Sequence, residues 1–475
     1  MTAQSGEAVH AATHTIELGI WEPIKIMAQG KVEEMRRRFG GEWKDEFPFD
    51  PEWHNLNHGS FGSIPIAIRD KLREYQDQVE ARPDRFIRYD YPRLLDESRE
   101  AVARLIKAPV DSVVFVSNAT EGLNTVFRNL VWAEDGRDVI MSFSTIYEAC
   151  GKMIDYIVDY YGGLVTHYEI GLEYPVEDET ILQAFRDAVN GIQSQGKRAR
   201  ACLFDVVSSR PGVVFPWEAM VAECKNLGVM SIVDGAQGIG MLPLDMVAVD
   251  ADVFVSNCHK WLYVPRGCAV LYVPVRNQGW LPTTLATSHG YVAKADSSRG
   301  SPLPPNSKSA FVNNFEFVGT KDNSPYLCVK DAIEWRRHVL GGEDAIIAHL
   351  WNLNKTGVRH VADVLGTQML ENSAGTLTNC AMGNVALPIW IGQRGKAARD
   401  TDVVVAADKA DKAFQWMAVS MVQDYKTFIS LFVMGKRFWV RLSAQIYLDM
   451  SDYEFAAKML TELTQRAGKH EYLGV

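Results

Sequence analysis

Short apolar runs and amphipathic stretches alternate through the middle of the chain. Apolar, β-branched runs bounded by turn-forming residues predict strands at Val113–Val116, Val139–Phe143, Leu164–Tyr168, Ala199–Val207, Met230–Val233, Val253–Val255 and Ala269–Val273. Stretches with the helical period lie between or before these runs, at Leu94–Ile106, Glu121–Leu130, Ile181–Ile192 and Trp217–Lys225. Strands separated by helices form mostly parallel sheets covered on both faces, so this pattern predicts an α/β fold.

The pattern changes on both sides of this region, and it divides the chain into four predicted parts. They are an N-terminal extension over residues 1–50, a segment over 51–93 that packs with the C-terminal part, a large domain over 94–330, and a small α+β domain over 331–475. Helices are predicted in the flanking parts over Glu17–Phe39, Pro65–Glu80, Asp331–Val364 and Ser451–Ala467.

Composition excludes several classes of protein. With 475 residues, 47% of them apolar and 23% charged, the chain is globular rather than disordered. A net charge of −10 argues against broad nucleic-acid binding, which needs basic surfaces. The seven cysteines lack zinc-like spacing, so no metal site is predicted. No apolar run reaches membrane-spanning length and no signal peptide is evident, so the expected location is the cytoplasm.

Polar residues follow four of the predicted strands, and ligands of α/β proteins bind at such strand ends. Lys260 follows Val253–Val255 in apolar surroundings, where burial disfavours the ammonium and favours the nucleophilic amine. Asp234 ends the preceding strand, where a buried carboxylate needs a cationic partner. Ser117–Gly122 can hold an anion at the start of a helix, with an ordinary N-cap as the alternative interpretation. Tyr147 can stack on a flat cofactor or donate a proton, with core packing as the alternative.

In this order, the motifs resemble those of the class V aminotransferase family, enzymes of fold type I that depend on pyridoxal 5′-phosphate. The resemblance rests on Ala119-Thr120-Glu121, Val233-Asp234-Gly235-Ala236-Gln237 and Ser256-Asn257-Cys258-His259-Lys260, and it extends from about residue 50 to the end. It implies a large domain with a mostly parallel sheet covered by helices, a small α+β domain, and a homodimer with active sites at the interface.

The resemblance also implies roles for individual residues. Lys260 would bond covalently to the cofactor aldehyde, Asp234 would pair with the pyridine nitrogen, and Gln237 would contact the phenolic oxygen. Tyr147 would cover the ring. The phosphate would be held by Ala119, Thr120, Ser256, His259 and, from the partner subunit, Thr320. The substrate would contact His58, Ser209 and Arg441, of which Arg441 would bind the α-carboxylate.

Within the family, other motifs resemble the branch of isopenicillin N epimerase-like proteins, whose fungal members include the ergothioneine-forming lyase that acts on hercynylcysteine sulfoxide. These are Asn57-His58-Gly59-Ser60-Phe61-Gly62, Thr287-Ser288-His289-Gly290 and Phe315-Glu316-Phe317-Val318-Gly319-Thr320-Lys321-Asp322-Asn323-Ser324-Pro325. The implied activity is cleavage of the Cβ–S bond of a cysteine sulfoxide conjugate, yielding pyruvate and ammonia. Lys260 would take the Cα proton and Tyr147 would protonate the departing sulfenate.

Three alternatives accompany this interpretation. An epimerase or a ring-forming biosynthetic enzyme shares the same motifs and remains open. A cysteine desulfurase needs a thiol shortly before the carboxylate-binding arginine, and residues 401–441 contain no cysteine. A non-catalytic module is disfavoured because Lys260, Asp234 and Arg441 are all present.

A basic-aromatic cluster precedes the large domain and includes Arg82, Arg85 and Arg88. We expect exposed charges between two helices. The alternative hypothesis is that one of these arginines enters the partner's active site and binds substrate.

Overall fold

The computed structural model describes residues 39–295 and 299–474. The helix predicted over Glu17–Phe39 lies, except for Phe39, outside the described residues. The main helices are α1 (Ile66–Ala81), α2 (Tyr91–Leu105), α3 (Ala119–Asn129), α4 (Glu148–Tyr161), α5 (Asp178–Ser194), α6 (Trp217–Leu227), α7 (Ser324–His338), α8 (Glu343–Leu365), α9 (Ala410–Gln423) and α10 (Met450–Gly468). The strands are β1 (Val113–Val116), β2 (Asp138–Phe143), β3 (Val165–Ile170), β4 (Arg198–Asp205), β5 (Met230–Asp234), β6 (Val253–Asn257), β7 (Ala269–Tyr272), β8 (Met382–Ile391), β9 (Val403–Val405), β10 (Ser430–Met434) and β11 (Arg437–Ser443).

Seven strands form a central sheet in the order β1-β7-β6-β5-β4-β2-β3. Neighbours from β6 through to β3 run parallel, and β7 is antiparallel to both β1 and β6. The apolar strands are buried on both faces, as their continuous hydrophobic runs predicted. The predicted α/β fold with a mostly parallel sheet is confirmed.

Alternating residues of each strand point to different layers of the core. Ile232, Val253 and Val255 pack in one cluster with α3 and α4, whereas Val233 and Phe254 pack in the larger cluster with α5 and α6. This alternation decides which strand-end side chains meet, because residues two apart lie on the same face.

A second sheet of four strands, in the order β10-β11-β8-β9, follows α7 and α8. β11 is antiparallel to β10 and β8, and β8 runs parallel to β9. α8 packs against both β8 and α10, so the C-terminal region is the expected mixture of helices and strands. The division of the chain into four parts stays a prediction, and its boundary at residue 330 falls inside α7.

Two sequence predictions differ from the observed helices. The single helix expected over Asp331–Val364 is wrong, because α7 ends at His338 and α8 begins at Glu343. Gly341 and Gly342 separate them with φ values of 88° and 93°, a conformation that glycine adopts freely and that a helix excludes. α4 was not predicted, although it presents Cys150, Met153, Ile154 and Ile157 to the core at helical spacing.

The segment before α2 packs against the C-terminal region. Trp43 and Phe47 are buried, and the Gly40 amide donates to the Ile446 carbonyl at 2.8 Å. α1 packs against α7, where the Tyr75 hydroxyl donates to Asp331 at 2.9 Å. Between residues 39 and 474, apart from the gap at 296–298, no helix is long and apolar enough to cross a membrane.

Candidate active site

The carboxyl ends of β1, β2, β4, β5 and β6 meet at one edge of the central sheet, because these strands share one direction. Lys260 lies at this edge on a single helical turn, Cys258–Trp261, that directly follows β6. Burial lowers the pKa of Lys260 to about 8, against the opposing effect of Asp234, and Arg441 lowers it further. The lysine amine is therefore partly neutral near pH 7, the state in which it can attack an aldehyde.

His58 lies beneath the backbone of Lys260. Its Nε2–H donates to the Lys260 carbonyl at 2.7 Å, and its Nδ1 accepts from the Tyr447 hydroxyl at 3.0 Å. Burial lowers the pKa of His58 to about 4, so the ring is neutral. Both ring nitrogens are engaged by the protein, and this placement favours a role in positioning Lys260 over the predicted contact with substrate.

Two buried carboxylates adjoin Lys260 at the sheet edge. Asp234 and Asp205 are paired residues of the parallel strands β5 and β4, so their side chains lie on the same face. Asp234 accepts from the Ala236 amide at 2.9 Å and from the Cys150 thiol at 3.5 Å. Burial raises the pKa of both carboxyls, and for Asp205 the neighbouring Asp234 adds to the effect. A thiol is a weak donor, so Asp234 retains the capacity to pair with a cation.

The start of α3 forms an anion cradle beside β6. The Ala119 amide donates to Asn257 Oδ1 at 2.9 Å, and the Glu121 amide donates to Asn118 Oδ1 at 2.9 Å. The Thr120 amide and hydroxyl and the Asn257 side-chain amide donate to no atom in the described part of the chain, so these N–H and O–H groups are open to a phosphate.

Ser256 points away from this cradle. Its hydroxyl donates to the Gly235 carbonyl and accepts from the Ile239 amide at 3.0 Å. Val255 packs against α3, where a Cβ on Gly122 would lie 2.8 Å from it, and Asn257, two residues on, shares that face. This geometry favours Asn257 over Ser256 for the predicted phosphate contact, which stays a prediction. The period of two along a strand is the signal that would have identified it.

His259 and Gln237 are each held by hydrogen bonds within the chain and each keep one nitrogen group for a ligand. His259 Nδ1–H donates to the Cys268 carbonyl at 3.0 Å, and Nε2 has no hydrogen-bond partner within the described residues. Burial lowers the pKa of His259 to about 4, so the ring is neutral. The Gln237 side chain donates to the Gly59 carbonyl at 2.7 Å and accepts from the Trp261 indole at 2.7 Å. One of its N–H groups remains for a ligand oxygen.

Tyr147 precedes α4 and is 43% exposed. The helix begins beside Asp234, because Cys150 in its first turn contacts that carboxylate. Tyr147 thus lies about one helical turn from Asp234, and its ring is partly exposed rather than packed in the core.

Arg441 is fully buried on β11, and most of its guanidinium is held by hydrogen bonds within the chain. Its Nη1 donates to the Ser209 carbonyl at 2.7 Å, and its Nη2 donates to Asn57 Oδ1 and the Ser60 hydroxyl, both at 2.9 Å. Burial lowers its pKa to about 10, so it stays charged at neutral pH. Its Nε–H has no partner in the described residues, an orphaned charged donor that a substrate carboxylate would satisfy. Asn57 and Ser60 were not among the predicted site residues, although both lie in the motif Asn57-His58-Gly59-Ser60-Phe61-Gly62.

Thr320 is exposed and lines a surface cleft of about 420 Å³ beside α1. Its neighbour Lys321 reaches the cradle of the same chain, where its ammonium donates to the Ser117 hydroxyl at 3.1 Å. A contribution of Thr320 to the partner's site stays a prediction. Arg88 pairs with Asp84 at 3.1 Å and donates to the Pro302 carbonyl at 2.7 Å, in agreement with the expected surface position.

The donor set fits pyridoxal 5′-phosphate. A lysine of lowered pKa, a buried aspartate lacking a strong donor, and open amides at a helix start match its aldehyde, pyridinium and phosphate. No group of three metal-ligating side chains occurs within residues 39–295 and 299–474.

The chain belongs to the class-V aminotransferase family. The family model described as "Aminotransferase class-V" matches residues 64–299. An "L-cysteine desulfhydrase-like protein" of Epichloe uncinata is 34% identical over 90% of this chain and 96% of the relative. The "Hercynylcysteine sulfoxide lyase" of Schizosaccharomyces pombe is 29% identical over 89% of this chain and 97% of the relative. The "Isopenicillin N epimerase" of Amycolatopsis lactamdurans is 26% identical over 62% and 71%, respectively.

Solved structures share the fold. The cystine C–S lyase C-DES, in complex with cysteine persulfide, has a TM-score of 0.67 at 16% identity, covering 88% of this chain and 99% of C-DES. Apo cysteine desulfurase from Thermococcus onnurineus has a TM-score of 0.67 at 17% identity, covering 90% and 98%. The predicted fold type I is confirmed, and the chain is an enzyme that uses pyridoxal 5′-phosphate.

Proposed function

We propose that this pyridoxal phosphate-dependent carbon–sulfur lyase cleaves the Cβ–S bond of a cysteine sulfoxide conjugate, such as hercynylcysteine sulfoxide. The products would be a sulfenate, pyruvate and ammonia. The observation that carries the proposal is an exposed phenol, Tyr147, at the start of the helix whose Cys150 contacts Asp234, the carboxylate that adjoins the buried Lys260.

The cofactor supplies an electron sink that makes the Cα–H of a bound amino acid acidic. The residues of the chain supply the rest. Arg441 binds the α-carboxylate through its unpaired Nε–H, and Asn57 and Ser60 hold the guanidinium in place. Lys260, positioned from below by His58, takes the Cα proton at its Nζ atom.

Tyr147 donates its hydroxyl proton to the departing sulfenate. A leaving group that carries away an electron pair departs faster when an acid protonates it, and a positioned acid contributes about 10²–10⁴-fold. Tyr147 is partly exposed and directly precedes α4, so its hydroxyl is accessible while the helix holds its backbone in place.

Sulfur transfer to the protein is disfavoured. A desulfurase holds its sulfur on a mobile thiol, whereas each of the seven cysteines is buried. The relatives named desulfhydrase or lyase agree with direct release of the sulfur product.

We also propose that the enzyme is a homodimer in which Thr320 completes the phosphate site of the partner. Its exposed position on the cleft beside α1 supports this assignment. Light scattering of the purified holoenzyme measures the assembly directly, and a monomer with full cofactor affinity would contradict it.

The test of the activity is incubation of the cofactor-loaded protein with hercynylcysteine sulfoxide, simpler cysteine sulfoxides and L-cysteine, with pyruvate and the sulfur product followed together. Fast pyruvate from the sulfoxides is expected. If only L-cysteine gave pyruvate, together with sulfide, the leaving group would be a thiol rather than a sulfenate. Absence of pyruvate from every compound would favour an epimerase or a ring-forming enzyme.

Two variants separate the roles of the residues. Lys260→Ala should remove the lysine-bound absorbance band and all turnover. Tyr147→Phe should keep that band and slow pyruvate release by about 10²–10⁴-fold. Full activity of the phenylalanine variant would leave Tyr147 with ring stacking alone.

A further inference from the structure

A partly exposed ion pair between Arg210 and Glu148 has no role in the proposed chemistry. Arg210 Nη2 donates to Glu148 Oε1, and both side chains are partly exposed, at 38% and 62%. Each residue is the direct neighbour of a site residue. Glu148 follows Tyr147 at the start of α4, and Arg210 follows Ser209, whose carbonyl holds Arg441.

The pair therefore links the start of α4, which carries the phenol, to the loop whose Ser209 carbonyl accepts from the carboxylate-binding arginine. Arg210 is close enough to Arg441 to lower the pKa of that guanidinium, although burial has the larger effect. Both cations attract anions. Because Arg441 is assigned to the α-carboxylate, Arg210 remains for a second anionic group. Arg210 has Glu148 as its only ionic partner among the described residues.

An exposed ion pair is also easily opened. Such pairs stabilise a protein by about 0–1 kcal/mol because water solvates the separated charges well. A ligand that offers one charge of each sign can replace both halves of the pair without leaving a charge unpaired. A ligand with a single distal charge leaves one half without its partner, and a ligand without distal charge leaves the pair closed.

We propose that Arg210 and Glu148 form a distal subsite that selects S-conjugates whose leaving group is itself zwitterionic, carrying a carboxylate and an ammonium. The carboxylate binds Arg210 and the ammonium, primary or quaternary, binds Glu148. This inference rests on the proposed function, in which the leaving group is protonated by Tyr147, the direct neighbour of Glu148.

The test measures binding separately from cleavage. The ligands are analogues in which a methylene group replaces the sulfur, so that the Cβ–S bond to be broken is absent. One analogue carries a distal betaine and the other ends in a methyl group. Their Kd values are read from the change in the absorbance of the bound cofactor in wild type, Arg210→Gln and Glu148→Gln.

Each glutamine variant should raise the Kd of the zwitterionic analogue by about tenfold, the effect of one lost charge-assisted contact at a half-exposed site. The Kd of the methyl-ended analogue should stay within about twofold of wild type. Equal effects on both analogues, or none on either, would overturn the subsite. Thermal melting and the cofactor band verify that the variants are folded.

A charge exchange separates recognition from a structural role. Arg210→Glu combined with Glu148→Arg rebuilds an ion pair with reversed positions. A purely structural pair would regain wild-type affinity for the zwitterionic analogue, which would refute the proposal. If the pair is a subsite, the Kd of the zwitterionic analogue should remain raised by about tenfold in the double variant, because each charge of the ligand now lies next to a side chain of the same charge.

The two proposals fail differently. If the wild-type enzyme prefers the zwitterionic analogue but forms no pyruvate from any sulfoxide, the subsite stands and the lyase assignment is refuted. If Arg210→Gln cleaves both hercynylcysteine sulfoxide and S-methylcysteine sulfoxide with the kcat/KM of wild type, the lyase assignment stands and the subsite is refuted.

Discussion

Substituting Gly212 by alanine should disable the carboxylate-binding arginine while leaving the cofactor site intact. A Cβ at position 212 would lie 2.5 Å from Arg441 Cδ and 2.9 Å from Arg441 Cγ. The backbone of Gly212 cannot withdraw, because its amide donates to Asn384 at 2.8 Å and its carbonyl accepts from Asn384 at 2.9 Å. Carbon atoms pack at about 3.5 Å or more, so the stem of Arg441 must shift by about 1 Å.

The magnitude follows from the contacts of Arg441. Its guanidinium is fixed by hydrogen bonds of 2.7–2.9 Å to Ser209, Asn57 and Ser60. A shift of about 1 Å breaks one or two of them and misdirects the Nε–H from the substrate. At about 1.5–3 kcal/mol for each hydrogen bond to a charged group, the loss is about 3 kcal/mol, or roughly 10²-fold in kcat/KM.

The assay is steady-state pyruvate release at several substrate concentrations, together with the lysine-bound absorbance band. The band should be unchanged, since Lys260 and Asp234 are untouched. Gly191→Ala is the matched control, because Gly191 lies in α5 with nothing within 4 Å of its Cβ. That change should leave kcat/KM unaltered and stabilise the fold by about 0.5–1 kcal/mol. A Gly212→Ala enzyme within about threefold of wild type would refute the assignment of Arg441. If that variant fails to fold, Arg441→Lys tests the same point by keeping the charge and removing the Nε–H donor.

Two further predictions concern the cofactor. Burial disfavours the Lys260 ammonium, so the neutral amine appears about two pH units earlier than in a solvated lysine. The rate at which cofactor-free enzyme captures pyridoxal phosphate, followed by stopped-flow absorbance, should rise with pH, reach half of its maximum near pH 8 and then level off. A rise that continues beyond pH 10 would contradict the burial argument. Asn257→Ala should raise the Kd of pyridoxal phosphate by about tenfold, the loss of one hydrogen bond to an anion, without affecting pyridoxal, which has no phosphate. Ser256→Ala should lower the melting temperature and weaken both compounds alike, and a phosphate-specific loss in this variant would restore Ser256 to the cradle.

The pattern of apolar and polar residues was sufficient to predict the class of the fold and the chemistry of its strand ends. Buried parallel strands are continuous apolar runs, and a lysine or aspartate that ends such a run stands out because burial of a charge is costly. Lys260 and Asp234 were therefore identified without coordinates. Helix boundaries were less certain, since the break at Gly341–Gly342 depends on a backbone conformation that the surrounding apolar pattern does not reveal.

Which of these side chains converge depends on how the elements pack in three dimensions. The motif Ser256-Asn257 offers two polar residues, and the packing of Val255 against α3 turns Asn257 toward the cradle and Ser256 away from it. Asp205 lies beside Asp234 only because β4 and β5 are neighbours in register. Asn57, Ser60, Ser209 and Arg441 come from three distant parts of the chain, and sequence separation carries no information on a contact that depends on how two sheets pack together.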